Sequence, residues 1–207
     1  MAKKKFYVVW NGVEPGVYES WDKVKAQITG YDGALYKSFS NIEDAQKAFS
    51  ENPYLYIGNK EKKQTLHYYN NPDIIKDSIA VDAACSGNPG LLEYRGVYLK
   101  TGEEIFHQGP FEEGTNNVGE FLAIVHGLAL LKQKKLPIPI YTDSVNAMKW
   151  VKDKKCKTKL VRTSTNESLF YLIERAEKWL HENTYKTLVI KWETNKWGEI
   201  PADFGRK

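Results

Sequence analysis

The chain has 207 residues, of which 42% are hydrophobic, so it carries enough apolar side chains to bury a substantial core. This content excludes an intrinsically disordered protein, and no stretch approaches the roughly 18 apolar residues of a membrane-spanning helix. The formal net charge is +4, but residues 131–163 hold ten Lys or Arg against only Asp143 and Asp153. Such a basic segment is typical of a solvated helical face or of a surface that contacts a polyanion, and charge alone leaves both open.

The cysteines and the first residues bear on redox state and location. Cys85 and Cys156 lie far apart, and the apolar run in the opening MAKKKFYVVW is too short for a signal peptide. We therefore expect a reduced, cytoplasmic protein, and a monomer because no heptad pattern is present. The four histidines have no zinc-ligand spacing with the cysteines, so a metal site is expected to use carboxylates.

Residues 5–50 predict a small strand-rich unit with two helices. The run KFYVVWNG predicts a strand that is followed by a turn at EPGVY, and ALYKSF predicts a second strand. Helices are predicted from Ser20 to Ile28 and over NIEDAQKAF. The segment after Asn52 is rich in Asn, Lys, Tyr and Pro without periodicity, which predicts a linker. We expect a first domain at 1–52, a linker at 53–76 and a second domain at 77–207.

From Ile79 onward the pattern predicts an α/β domain. IAVDAAC predicts a buried strand, LEYRGVYLKTGEEIFHQG two strands that turn at Thr101-Gly102, and GEFLAIVHGLALLKQ a buried helix. A strand IPIYTD, a helix SVNAMKWVKD, a helix from about Asn166 to Glu182 and a strand TLVIKWET follow. Three strands followed by alternating helices and strands predict a mixed sheet flanked by helices.

Three acids of this domain stand where a carboxylate needs an explanation. Asp82 lies inside an apolar strand, where an unpaired charge would be costly. Glu120, in the first turn of the buried helix, fits either an Asn-x-x-Glu capping box that begins at Asn117 or a catalytic role. Asp143 ends a strand where a helix starts, so it is either a helix N-cap or a ligand at the carboxyl edge of the sheet.

Two further acids, Glu199 and Asp203, are four residues apart, so a short helix there would place both on one face. Converging carboxylates repel by about 4 kcal/mol at a separation of about 4 Å and an effective dielectric constant of about 20, and therefore need a counter-ion. Oxygen-only ligand sets select Mg²⁺, Mn²⁺ or Ca²⁺. Two such ions would serve in-line attack on a phosphodiester, which would also account for the basic segment.

Several segments resemble a known family. SIAVDAACSGNPG, GTNNVGEFLAIVHGL, IYTDSVNAMKWV and KWETNKWGEIPADFGRK resemble, in order, the four motifs of bacterial type 1 ribonuclease H, which cuts the RNA strand of RNA/DNA hybrids. FYVVWNGVEPGVYESW and GYDGALYKSF are similar to the hybrid-binding domain at the front of many such enzymes. The resemblance implies a ribonuclease H-like mixed five-stranded sheet flanked by helices, preceded by a small α/β hybrid-binding domain. It also implies an endonuclease that binds RNA/DNA hybrids and leaves 5′-phosphate and 3′-hydroxyl ends.

The resemblance further implies which residues form the active site. Asp82, Glu120, Asp143 and Asp203 would hold two Mg²⁺ ions, or Mn²⁺. By the family pattern Asp82 would bridge both ions, and Asp203 would complete the site that activates the attacking water. Glu120 and Asp143 would hold the ion at the leaving oxygen. Many members carry a His before the last Asp, and that His assists turnover of the metal site. The segment ETNKWGEIPAD has no His, as in the subgroup without it. The role of the His is therefore assigned to Glu199; the alternative interpretation of Glu199 is a surface acid.

Substrate contacts also follow from the resemblance. Side chains cannot read the deep major groove of a hybrid near A-form, so recognition is expected to use shape and 2′-hydroxyls. The matching positions of the second domain are Cys85, Gly87, Asn88, Pro89, Asn116, Asn117 and Thr194. In the first domain Trp21 and Lys37 match the aromatic and the cation that hold the hybrid, with Tyr36 as a stacking partner. The alternative for Trp21 is a plain core aromatic.

Two other functions stay open at this point. A catalytically silent fold would bind hybrids without cutting them, although the presence of all four acids argues against it. A transposase or integrase core would share the metal chemistry, but the short chain, the GNPG turn and the front domain argue against that alternative. No contact with a membrane or with a protein partner is indicated.

Overall fold

The structure is a computed structural model that describes residues 5–31, 33–51, 53, 56, 68 and 71–205. The chain divides into two compact units, with the main boundary between residues 66 and 67. The linker predicted at 53–76 lies largely outside the described residues. Its described end belongs to the second unit, where Tyr68 and Ile74 are buried with Trp192 in one apolar cluster. Among the described residues no helix has both the length and the apolar character needed to cross a membrane.

The first unit is a three-stranded antiparallel sheet with two helices, in the strand order β2-β1-β3. Its core contains Val8, Ala45 and Ala48, and the indole N–H of Trp10 donates to the backbone oxygen of Ala48 at 2.8 Å. The predicted turn at EPGVY is partly wrong, because three of its residues pair with β1 as a short strand. The elements are β1 (Phe6–Asn11), β2 (Gly16–Tyr18), α1 (Trp21–Ile28), β3 (Leu35–Phe39) and α2 (Ile42–Ser50).

The second unit confirms the predicted mixed five-stranded sheet, with the strand order β6-β5-β4-β7-β8. Strands β4, β5 and β6 pair antiparallel, whereas β4, β7 and β8 pair parallel. The elements are β4 (Ile79–Gly87), β5 (Gly90–Tyr98), β6 (Glu103–Gly114), α3 (Asn116–Lys134), β7 (Ile140–Thr142), α4 (Val145–Lys152), α5 (Glu167–Glu182), β8 (Val189–Lys191) and α6 (Thr194–Trp197). The last strand is shorter than predicted, because helix α6 begins at Thr194.

Both faces of the second sheet are covered, which explains the nearly continuous apolar run of β4. Ile79 and Val81 pack in the cluster that contains helix α3, whereas Ala80 packs on the other face with Tyr141 and Trp192. Because successive strand residues alternate between faces, Asp82 projects on the side of Ala80. Helix α3 carries eleven buried residues, so it is the central helix of the unit.

Candidate active site

Four separate parts of the chain bring the predicted carboxylates to one cavity of about 280 Å³. Asp82 lies within β4, Glu120 on α3, Asp143 directly after β7, and Asp203 in the segment after α6. Carboxylate oxygens of the first three lie within 4.8 Å of one another, and Asp203 lines the same cavity. Asp143 follows the last residue of β7, at the carboxyl end of the strand, where α/β sheets place their ligands. Strand β7 is the parallel neighbour of β4, which carries Asp82.

The capping-box interpretation of Glu120 is wrong. Helix α3 has Thr115 as its N-cap, so Asn117 is its second residue and Glu120 its fifth, beyond the position of a capping acid. Glu120 instead accepts a hydrogen bond from the side-chain amide of Asn116 at 2.9 Å. It is only 9% exposed, and its carboxylate faces the cavity.

The N-cap interpretation of Asp143 is also wrong. Helix α4 is capped by Ser144, whose hydroxyl oxygen accepts from the backbone N–H of Ala147 at 3.2 Å. The same serine is buried and also hydrogen-bonds Glu120. The sequence analysis missed Ser144, although a Ser immediately before an amphipathic helix is a strong N-cap signal. Since Ser144 caps the helix, Asp143 is left to contribute its carboxylate to the cavity.

A short helix through Glu199 and Asp203, which would place both acids on one face, does not form. Helix α6 ends at Trp197, Gly198 follows with φ of 78°, and the chain continues in a turn through Pro201. Asp203 therefore lies outside regular structure, with its backbone N–H donating to the oxygen of Ile200 at 2.8 Å. One of its carboxylate oxygens accepts from the backbone N–H of Gly205 at 2.9 Å.

The buried acids strongly perturb one another. Burial, together with the neighbouring charges of Asp143, Glu120 and Asp203, raises the pKa of Asp82 to about 8. The pKa of Glu120 is raised to about 7, mainly by burial and also by the charge of Asp143, although the hydrogen bonds with Ser144 and Asn116 oppose the rise. Without a cation these groups therefore retain protons near neutral pH.

A cation, Lys191, acts on Asp143, and it was not among the residues predicted from the sequence. Burial raises the pKa of the Asp143 carboxyl, whereas the ammonium group of Lys191 lowers it. The charges of Asp203 and of half-buried Glu199 raise the same pKa, so Glu199 lies near enough to act on this acid. The sequence signal for Lys191 was its place in the predicted last strand, TLVIKWET. In the structure it ends β8 and pairs with Thr142 of β7.

The donor set fits hard divalent cations. The three clustered ligand groups offer only carboxylate oxygens, which suit Mg²⁺, Mn²⁺ or Ca²⁺ and do not suit a structural zinc site. The raised pKa values also indicate a site that requires a cation, because one lysine does not compensate several carboxylates that the fold holds together. A larger cavity of about 660 Å³ lies elsewhere in the second unit, but none of its lining residues is an acid.

The comparisons with known proteins agree with this geometry. The RNase H family model matches residues 76–198, and the model of the ribonuclease H1 N-terminal domain matches residues 5–49. Ribonuclease H of Rickettsia bellii is 36% identical over 151 residues, an alignment that covers 63% of this chain and 86% of that protein. The chain belongs to the ribonuclease H family.

Other similar proteins match smaller shares of this chain. Ribonuclease H of Crithidia fasciculata is 39% identical over 51 residues, so the match spans 25% of this chain and only 10% of that enzyme. Among solved structures, LC11-RNase H1 in complex with an RNA/DNA hybrid is 21% identical with a TM-score of 0.35. That comparison covers 57% of this chain and 86% of that chain.

Two of the seven predicted substrate residues of the ribonuclease H unit are among the residues that line the cavity. Cys85 and Asn116 line it, and the thiol of Cys85 donates to the backbone oxygen of Gly114 at 3.3 Å. Gly87 is the last residue of β4, with φ of 126°, and Asn88 and Pro89 form the turn to β5; all three are exposed. Two further predicted residues, Asn117 and Thr194, lie in the first turns of α3 and α6, respectively.

In the N-terminal unit the structure brings together two of the three predicted residues. The rings of Trp21 and Tyr36 are 5.7 Å apart and are 43% and 41% exposed, so Trp21 is not a plain core aromatic. Tyr7 adds a third ring 5.6 Å from Trp21. Lys37 follows Tyr36 on β3 and so projects to the opposite face, where its ammonium group donates to the backbone oxygen of Tyr56.

Proposed function

We propose that this chain is an endonuclease that hydrolyses the RNA strand of RNA/DNA hybrids. The observation that carries the proposal is the convergence of Asp82, Glu120, Asp143 and Asp203 on one cavity at the carboxyl edge of β7. Membership of the ribonuclease H family supports it. In the proposed reaction a water oxygen bonds to phosphorus and the bond to the 3′ oxygen breaks, which leaves a 5′-phosphate and a 3′-hydroxyl end.

The four carboxylates would hold two Mg²⁺ ions, or Mn²⁺. When bound, such ions lower the pKa of the attacking water and stabilise the charge that develops on the leaving oxygen. The chain itself orients the ligands: Asn116 and Ser144 hydrogen-bond Glu120, and the backbone N–H of Gly205 holds one oxygen of Asp203. These contacts keep the carboxylates in place before substrate arrives.

Glu199 completes the proposed set as a neighbouring acid rather than as a ligand. It is half-buried and close enough to Asp143 to raise the pKa of that carboxyl. It stands in the loop that lacks the His of many relatives, and we assign to it the role of assisting turnover of the metal site. The assignment predicts that Glu199→Gln slows product release more than it weakens metal binding, which single-turnover and multiple-turnover rates would separate.

Hybrid recognition is proposed to use both units. Around the cavity the exposed turn of Gly87, Asn88 and Pro89 brings backbone groups to the surface without a bulky side chain at Gly87. Asn116 and Asn117, in the first turn of α3, are proposed to reach the minor groove on both strands, and Thr194, at the start of α6, is proposed to bind a DNA phosphate. In the first unit the exposed rings of Trp21 and Tyr36 offer apolar faces on which sugars or bases stack.

The test is cleavage of end-labelled RNA/DNA hybrid, duplex RNA, duplex DNA and single-stranded RNA, each with Mg²⁺ and with chelator. We expect cutting of the RNA strand of the hybrid only, dependent on Mg²⁺ and lost in Asp203→Asn. The matched control is Glu182→Gln, which removes an exposed carboxylate that pairs with Lys178 on α5. Binding of the hybrid without cutting would make the chain a catalytically silent binding protein. Cutting of duplex DNA would instead indicate a different nuclease or transposase activity on the same fold.

A further inference from the structure

Asp203 differs from the other three site acids in how the fold holds it. Asp82 lies within a strand and Glu120 within a helix, and Asp143 is fixed between β7 and the capped start of α4. Asp203 follows the turn at Pro201 and Ala202 and lies in no helix or strand. The place of its carboxylate therefore depends on contacts that other residues make with this segment.

Arg95 makes three contacts with this segment. It is the residue of β5 directly opposite Asp82 in the antiparallel pairing with β4, so both side chains are on the same face of the sheet. Its Nε donates to the backbone oxygen of Ala202 at 2.8 Å, and its Nη2 donates to that of Asp203 at 2.6 Å. The guanidinium carbon also lies 4.6 Å from the centre of the Phe204 ring. One side chain thus contacts three consecutive residues.

The guanidinium is itself held in place. Its Nη1 pairs with Glu104 at 3.2 Å, and Glu104 lies 3.5 Å from a ring nitrogen of His107. His107 is the cross-strand partner of Arg95 on β6, and its ring lies 5.6 Å from that of Phe204. The planar, forked guanidinium suits this task, because its several donors point in fixed directions.

We propose that Arg95 is a positioning residue that sets where the carboxylate of Asp203 stands in the cavity. Its hydrogen bonds go to the backbone oxygens of the segment, so they fix the main chain without occupying either carboxylate oxygen. Arg95 acts through Asp203 and does not touch the substrate. The proposal rests on the proposed function only in taking Asp203 as a metal-holding residue.

The first readout is Mn²⁺ binding, measured by electron paramagnetic resonance on the full chain. Loss of an interaction that orients a ligand typically weakens metal binding about 10- to 100-fold, and we expect a loss in this range for Arg95→Met. Arg95→Lys retains one donor and should lose less. The matched control is Arg162→Met. Arg162 pairs with the carboxylates of Glu167 and Glu174 and lies over the ring of Phe170, and it does not line the cavity. The Mn²⁺ affinity of this variant should stay unchanged.

The second readout does not depend on metal or on activity. The backbone N–H of Gly205 donates to the carboxylate of Asp203, and that of Asp203 donates to Ile200, so amide exchange at both positions reports the segment directly. Both amides should exchange faster in Arg95→Met than in the wild type and in Arg162→Met. Unchanged exchange would overturn the proposal, even if the chain binds no metal and cuts no hybrid.

A double-mutant comparison separates positioning from a general loss of stability. If Arg95 acts through Asp203, adding Arg95→Met to Asp203→Asn should weaken Mn²⁺ binding no further. Losses that add would contradict the proposal. If Arg95→Met does not fold, as judged by circular dichroism, Arg95→Lys carries the same three measurements. If wild type itself does not bind Mn²⁺, the proposed function fails, and amide exchange alone decides the role of Arg95.

Discussion

The carboxylates of the cavity oppose folding when no cation is present. Asp82 is 6% exposed, and burial together with three neighbouring acids raises its pKa to about 8. A folded-state pKa above the unfolded one means that the folded chain binds more protons over this range. The stability that the protonated group provides is therefore complete at low pH and is lost as pH rises from about 4 towards about 8.

Asp82→Asn should consequently stabilise the metal-free chain while it abolishes cleavage. We expect the free energy of unfolding at pH 8 to rise by about 1–3 kcal/mol, because the neutral amide removes a repulsive charge. Urea unfolding in chelator would measure the change. Added Mg²⁺ should stabilise the wild type and leave the variant nearly unchanged. Hybrid binding should be retained or tightened, and its loss would contradict the assignment of Asp82.

His126 should add an opposite dependence on pH. Burial lowers its pKa, the positive charge of Arg175 on α5 lowers it further, and its ring stacks on Phe106 at 4.0 Å. A folded-state pKa below the unfolded one means that the unfolded chain binds the extra proton, so stability falls as pH drops below about 6.5. We expect the loss of stability between pH 7.5 and 5.5 to be smaller in His126→Phe. Equal losses in the two proteins would show that another group titrates in this range.

At the level of elements, helix α3 approaches the sheet closely at Gly119. A Cβ at this position would lie 2.5 Å from Leu92 and 2.6 Å from Ala83, which is nearer than carbon atoms pack. At Gly127, further along the same helix, a Cβ would lie 3.0 Å from Ile79 and 3.1 Å from Ile140, in both cases from the flexible end of the side chain. The two glycines therefore provide a matched pair.

Gly119→Ala should destabilise the second unit although alanine is the better helix former. The helix propensity favours alanine by about 1 kcal/mol, whereas overpacking of a tight core costs about 1–3 kcal/mol, so the overpacking should prevail. Gly127→Ala should change stability less, since its neighbours can rotate away. Thermal unfolding of both variants would test the ranking. Because Glu120 is the next residue, Gly119→Ala should also weaken Mn²⁺ binding, and an unchanged affinity would mean that the helix absorbs the shift.

At the level of the whole molecule, the two units match separate family models, and each has its own core. In the first unit Trp10 is packed inside, whereas Trp21 and Tyr36 are exposed on the surface. Exposed adjoining aromatics are costly unless they bind something, which is why the first unit is proposed to hold the hybrid. The carboxylate cavity belongs to the second unit alone, so binding and cleavage should be separable by mutation.

Trp21→Ala should weaken hybrid binding without changing the rate of cleavage at saturating substrate. Loss of one stacking surface is expected to cost about 1–3 kcal/mol, seen as a higher KM with an unchanged kcat. Tyr171→Ala, which removes another exposed aromatic on α5, is the control and should alter neither constant. A fall in kcat alone would contradict the division of labour between the units.

Local patterns determined most of the elements of this protein. The alternation of β5 and β6, the apolar run of β4 and the long apolar stretch of α3 each lie within one short window, where periodicity is a direct consequence of burial. Strand β2 was missed because its three residues are too few to show any period. The predicted start of α3 was wrong, because side-chain caps decide where a helix begins and a single sequence leaves several candidates for the cap.

Motif resemblance named the four acids, but only the tertiary structure decided what surrounds them. Three contacts were not predicted from the sequence: the hydrogen bond of Ser144 with Glu120, the charge of Lys191 near Asp143, and the hydrogen bond from Arg95 to the backbone of Asp203. Arg95 reaches a carbonyl 107 residues further along the chain, and no periodicity extends across such a distance. Local sequence encodes which face of each element is buried. The packing of the elements against one another is then driven by the total apolar surface that they bury together. The pKa values and hydrogen bonds of the cavity follow from that packing, because they depend on distances between residues that the sequence keeps apart.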